Sequence, residues 1–378
     1  MNLYGRAALL LDPTDPARLA ILPDLGVALD SAGRFDDSRA CFAEAVRLAE
    51  AAGDRRTLAY ARVAQCLSEF ESDPADRLRV ADEAAAVFEP LGDDRGLSLS
   101  WQIRADTSWA EGRAAGFEAG LARALEHARR AGAHREEGLI VYSLGMVLVQ
   151  GPTPVPDAIE RCRNILALAP DDRGIEMAMD HALAHLHAHL GQFELARPLA
   201  ARCQEIAAES GQRAEAVGLT EVAWDVETLA GDHEAAERII ADGCERLAAM
   251  GGSNPLLDRC LAQSRLTLGR AVDIDRLNKN AAQSTGWLHA NRMRVVALAR
   301  AAAGDLDEAE AQAREAVLSL STTDMIVFHA EAVVTLGDVL RAAGRASEAD
   351  ASFRQALDLY RQKGSLVGAD TVKARLAG

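Results

Sequence analysis

The chain has 378 residues, is 49% hydrophobic yet only 4% aromatic, and carries a formal charge of −16. That sign opposes a nucleic-acid backbone and an anionic membrane surface alike, so neither is expected as a partner. No run of 18 apolar residues, no secretory signal and no cysteine framework occurs; the six cysteines stand singly in helical patterns and read as reduced core residues of a cytoplasmic protein.

Residues 1–18 have half a hairpin's length and read as a partial helix at a junction to an upstream region. From residue 19 to 364 one pattern recurs: an apolar helical stretch, a glycine turn, a second helix. The turn glycines are Gly33, Gly112, Gly151, Gly191, Gly231, Gly269, Gly304 and Gly344, separated by 79, 39, 40, 40, 38, 35 and 40 residues. The first clear unit runs from Leu22 to Ala45. Residues 57–91 lack the glycine and use Ser72-Asp73-Pro74. The stretch Gly151-Pro-Thr-Pro-Val-Pro156 replaces a two-residue turn by a stiff loop that is expected to project, because proline cannot continue a helix. Gly174–Leu190 and Phe193–Ser210 flank Gly191 as the model hairpin, residues 255–283 look short, and residues 365–378 form a closing cap helix.

Within the second helices a small residue falls five after the turn glycine, namely Ser38, Ala196, Ala236, Ala309 and Ala349. Phe42, Ala200, Ile240, Ala313 and Phe353 follow four later, and Ala45, Cys203, Gly243, Ala316 and Ala356 three after those. Steps of four and three keep one stripe facing the partner helix, and small side chains let the two helices approach. The first helices carry matching large-small pairs such as Leu25-Gly26, Leu144-Gly145, Leu183-Ala184 and Leu336-Gly337.

This pattern resembles the tetratricopeptide repeat in its longer, 40-residue form. The matches are best over Leu22–Ala45 and Val333–Ala356. The resemblance implies an all-α fold: a right-handed α-solenoid of about nine hairpins plus a carboxy-terminal helix. The opening Arg6–Leu19 is similar to the junction where bacterial multidomain signalling proteins, either ATPase-switch transcription activators or ATPase-linked cyclases, pass into their carboxy-terminal repeat arrays. No G-x-x-x-x-G-K-[ST] motif occurs, so phosphate cradling of that kind is excluded from this segment.

Such arrays bind partners on their concave face, and the register of the first helices nominates Arg62, Gln102, Asp106, Tyr142, His181, His185, His189, Glu221, Asp225, Arg259, Gln263, Asn291, Arg294 and Asp338. Met146 and Val334 interrupt this otherwise polar strip. The carboxylate clamp known in the family needs lysines that are missing here; Arg62, Arg259 and Arg294 can pair with acidic ligand groups instead. Trp101, Trp109, Trp224 and Trp287 read as core rather than as a stacking platform.

The sharpest local feature is His181/His185/His189, three imidazoles at four-residue steps. Spread over about 12 Å of one helix, they cannot all reach one ion at about 2.1 Å, so no metal and no cofactor is assigned. No catalytic residues are assigned either. The leading reading is a non-catalytic interaction and sensor module that binds a peptide, partner domain or small ligand and transmits this to an attached effector, with an upstream ATPase or cyclase region of the same polypeptide as one candidate partner. The alternatives are a metal-dependent sensor or enzyme centred on the histidine helix, with Glu221 and Asp225 as further ligands, and a free-standing scaffold.

Overall fold

Aspartate and proline divide the chain into helices. The carboxylates of Asp15, Asp54, Asp73, Asp93, Asp172 and Asp232 each accept a hydrogen bond from a backbone N–H of the turn that follows, and Pro16, Pro74 and Pro255 occupy first-turn positions where no N–H is needed. The computed structural model describes residues 3–12, 15–69, 73–282 and 286–378, and among them every regular element is helical. Ser72 of the expected Ser72-Asp73-Pro74 turn lies outside the described residues; Asp73 caps the helix that follows.

After α1 (Leu3–Leu10) the helices pair into hairpins. These are α2 (Pro16–Ser31) with α3 (Phe35–Ala52), α4 (Arg55–Ser68) with α5 (Pro74–Phe88), α6 (Asp94–Ala110) with α7 (Ala114–Ala131), and α8 (His134–Gln150) with α9 (Val155–Leu168). Next comes α10 (Arg173–His189) with α11 (Phe193–Glu209). The sixth hairpin has a broken first helix, α12 (Arg213–Gly218) and α13 (Thr220–Ala230), against α14 (His233–Ala249). Then follow α15 (Pro255–Thr267) with α16 (Ile274–Ala282), α17 (Gly286–Ala302) with α18 (Leu306–Ser321), α19 (Ile326–Ala342) with α20 (Ala346–Lys363), and α21 (Leu366–Ala377). The expected solenoid of nine hairpins and a closing helix is therefore present. Its first hairpin starts at Pro16 and not at residue 19.

The small-residue stripe packs as the spacing requires. Ser38, Ala196, Ala236, Ala309 and Ala349 are all buried, as are Phe42, Ala200, Ile240, Ala313 and Phe353 that follow them. Gly26 lies against the Phe42 ring and Gly337 against Phe353, so close that an added Cβ would sit 2.4 and 2.5 Å from a ring carbon. First helices touch one another along the array, α2 to α4, α4 to α6, α6 to α8, α8 to α10, α10 to α13, α13 to α15, α15 to α17 and α17 to α19, and so form the inner layer.

Seven of the eight expected turn glycines adopt positive φ. The exception is Gly151, which is extended (φ −79°, ψ −173°) because Pro152 disfavours the helical region for the residue before it. The loop it opens exposes Pro152, Pro154 and Pro156, while its backbone is anchored from the far end of the chain. Lys363, from the end of α20, is fully buried and donates to the carbonyl oxygens of Leu148, Gly151 and Thr153, each at 2.8 Å and between 210 and 215 residues away.

That contact is one of several showing that the array closes on itself. Trp287 Nε1 donates to Trp109 O, Asp324 N donates to Gly112 O, His189 Nδ1 hydrogen-bonds with Ser365 Oγ at 2.9 Å, and Gly252 abuts the Phe35 ring. Helices of the second coil, α12, α17, α19 and α21, rest on α2, α6, α8 and α10 of the first. The concave face is consequently narrowed to a cleft between the two coils.

Candidate functional site

Among the described residues, two cavities lie between the first helices inside the superhelix. The larger, about 730 Å³, is walled by Trp109, Met146, Trp287, Leu288 and Phe328, with Glu69, Gln150, Glu221, Arg259, Asn291 and Arg292 among its polar groups. Every helix that lines it is the first of its hairpin, α4, α6 and α8 from one coil and α13, α15, α17 and α19 from the other. Trp287 stacks on Phe328 (centroids 4.9 Å apart, 11°) and meets Trp109 edge-on at 5.2 Å, which makes an aromatic wall. The second cavity, about 340 Å³, is lined by α2, α4, α6 and α8 and includes Gln102, Asp106 and Tyr142.

Behind the larger cavity runs a buried polar ladder that links successive first helices. The break in the sixth hairpin at Leu219, where Thr220 Oγ1 donates to Val217 O, starts α13 so that Glu221 and Asp225 face α10. His185 Nδ1 lies 2.7 Å from Asp225 Oδ2, and its Nε2 lies 3.4 Å from Glu221 Oε2. The ladder continues through Arg259, Gln263 and Arg294. Arg259 and Arg294 both donate to Gln263 Oε1, at 3.3 and 2.9 Å, and Arg294 pairs with Glu331 at 2.9 Å. Arg259 Nε is buried with no partner, and its guanidinium lies over the Trp224 ring, whose Nε1 donates to Ser264 Oγ.

Charge is paired along this ladder. Burial works against the His185 imidazolium, but the Glu221 charge and the Asp225 hydrogen bond outweigh it and raise its pKa. Burial would raise Glu221, but His185 holds it well below the usual carboxylate range. Burial, reinforced by the His185 charge, depresses His181 to about 3, so it is neutral at pH 7. His181 packs its ring on Tyr142 at 4.9 Å and on His185 at 4.9 Å, while its Nδ1 is buried without a hydrogen-bond partner.

The expected site residues thus divide. Glu221, Arg259 and Asn291 line the larger cavity; Gln102, Asp106 and Tyr142 line the smaller; His181, His185, Asp225, Gln263 and Arg294 form the ladder behind. His189 leaves that group and joins α21 through Ser365. Asp338 likewise pairs with Arg375 of α21. Arg62 is a correction: it bridges Glu50 of α3 and Glu83 of α5, both outer-layer helices, and faces away from the interior. Asp106 is held by buried Arg77 of α5 at 2.6 Å. Trp109 and Trp287, read as core, are buried but also line the cavity.

Sequence reasoning missed Glu331, Arg77 and Lys363. The signal for Lys363 was present: it is one of only three lysines among 41 basic residues. A compact ammonium can direct three N–H bonds at converging acceptors, which a planar guanidinium cannot.

Residues 330–363, the last complete hairpin, match the tetratricopeptide repeat family. A solved chain of the APC/C hetero-tetramer Cut9–Hcn1 aligns over 99% of this chain and 75% of its own, with a TM-score of 0.57 at 16% identity. The fold is that of a tetratricopeptide-repeat solenoid. Two further solved structures align over nearly the whole chain at lower scores: a Rap protein complexed with competence and sporulation factor (TM-score 0.42, 12% identity, 96% of this chain and 97% of that one) and yeast Tom70 (0.25, 12%, 99% and 97%). No curated protein sequence matches. No described helix of the solenoid is long and apolar enough to cross a membrane.

Proposed function

We propose that the protein is a non-catalytic recognition module that takes an extended peptide segment of a partner protein into the interior of its superhelix and passes that occupancy to an attached signalling region. The observation that carries this reading is the 730 Å³ cavity, which joins an aromatic wall to Arg259, a buried guanidinium with an unsatisfied Nε–H. Aromatic faces recognise an apolar side chain, and the spare donor recognises a carboxylate, so the favoured segment combines the two. Assembly with another protein is in keeping with the similar solenoid of the Cut9–Hcn1 hetero-tetramer.

Transmission follows from the way the coils rest on each other. In a solenoid each hairpin touches its neighbours, so small rotations add along the array, and here a ligand between the coils changes their spacing directly. The test is an array of short peptides that pair an aromatic with an acidic residue, read by tryptophan fluorescence from Trp109 and Trp287. Binding that Arg259→Met weakens tenfold or more supports the proposal. Binding indifferent to that change, or no binding to any peptide, refutes it.

A further inference from the structure

We propose that His181, His185 and Glu221 form a zinc site at the wall of the larger cavity, with Asp225 orienting His185. One ligand atom from each of the three residues lies within 4.8 Å of the others. Ligand atoms on a tetrahedral zinc at about 2.1 Å stand about 3.4 Å apart, so the His185–Glu221 separation of 3.4 Å already fits, and His181 has to close by little more than 1 Å. A side-chain rotation on a helix supplies that.

Four features separate this cluster from an ordinary buried ion pair. Asp225 accepts from His185 Nδ1 at 2.7 Å, so that a metal displacing the Nε2 proton finds a lone pair directed toward Glu221; a carboxylate behind a ligating imidazole is the usual way a metal-binding histidine is oriented. His181 is a buried imidazole whose Nδ1 has no protein partner, an arrangement that costs free energy unless something else satisfies the ring. The ligands come from two helices, α10 and α13, which removes the objection that one helix cannot wrap an ion. Lastly, Glu221 and Asp225 set two carboxylates against the single His185 ring, and zinc at Nε2 would take the place of the proton that balances them in the metal-free protein.

Two imidazoles and one carboxylate are borderline ligands that suit zinc, and three protein ligands leave a fourth position open. Glu221 also lines the cavity, so that position faces it. A water there, or a carboxylate or thiolate of an incoming ligand, completes the shell. His189, the third member of the stripe, is committed to Ser365 and is not a ligand.

The test uses the untagged full chain stripped with a chelator and titrated with Co2+ as a spectroscopic substitute for zinc. The proposal expects a single tight Co2+ with the visible absorption of a four-coordinate nitrogen and oxygen site, displaced by Zn2+. His181→Gln and Glu221→Gln should abolish the absorption, Asp225→Asn should weaken binding by about 10- to 100-fold, and His189→Gln should leave it unchanged. X-ray absorption of the zinc-loaded wild-type chain should show two imidazoles per metal, a readout that stands even if a variant does not fold. Absence of the Co2+ spectrum, fewer than two imidazoles, or a His189→Gln effect equal to that of His181→Gln overturns the assignment.

Discussion

Replacing Lys363 by methionine tests whether the two coils are held together by the contact that the fold displays. The ammonium sits at the end of α8, where the carbonyl of Leu148 has lost its helical partner, and it also takes the carbonyls of Gly151 and Thr153. Burial draws the Lys363 amine down to about 7, but three acceptors at 2.8 Å engage all three N–H bonds of the charged form, whereas a neutral amine would point its lone pair at an oxygen. At the low end, each hydrogen bond from a charged donor contributes about 1.5 kcal/mol net, so the three together contribute about 4.5 kcal/mol. Methionine fills the space without dehydrating a charge, which offsets about 1.5 kcal/mol. The expected loss is therefore about 3 kcal/mol by urea denaturation at pH 7, accompanied by faster amide exchange in residues 148–156. Lys363→Arg should recover little of it, because a planar fork cannot address three converging carbonyls. A loss below about 1 kcal/mol with unchanged exchange would refute the claim that this lysine joins the coils.

Other outcomes follow from the same geometry. Gly231 and Gly112 both have positive φ, but only at Gly112 would a Cβ meet another coil, 2.6 Å from Thr323; Gly231→Ala should cost about 1 kcal/mol and Gly112→Ala clearly more, measured by thermal unfolding. Burial depresses His189 to about 4, so its contribution to stability is complete above its ordinary pKa of 6.5 and is lost as pH falls through 4; His189→Gln should remove up to roughly 3 kcal/mol of acid sensitivity in that window. Buried Arg77 forms a pair with Asp106 whose disruption by Asp106→Ala should cost about 3 kcal/mol in denaturant titration, since it removes the carboxylate that Nη2 of a buried guanidinium bonds at 2.6 Å. Burial raises the Cys162 and Cys203 thiols to about 12, and only Cys244 is partly exposed, so a thiol reagent should modify Cys244 first and the remaining cysteines only on unfolding.

Part of the candidate site was legible along the chain. The three histidines, Glu221, Asp225, Arg259 and Arg294 share the inner register of successive first helices, and four-residue spacing alone places them there. Arg62 failed because α4 carries its charge on the face toward α3 and α5, where Glu50 and Glu83 draw it outward. The loop at Gly151–Pro156 does expose its three prolines, but its anchorage was not legible. The lysine that binds its backbone carbonyls lies more than 200 residues downstream.

Local chemistry set by short-range spacing made the hairpins readable: a small residue every turn, a glycine free to adopt positive φ, an aspartate to cap the next helix. Each of those effects acts within about one helical turn or between adjacent helices, so a single chain segment contains both partners. Closure of the coil is different. The rotation from hairpin to hairpin is a small residual of many side-chain volumes, and it must be summed over five or six interfaces before Lys363 meets Leu148 or Trp287 meets Trp109. Only the assembled solenoid therefore decided that its concave face is a cleft between two coils, that His185 lies between Glu221 and Asp225, and that His189 belongs to the seam and not to the cavity wall.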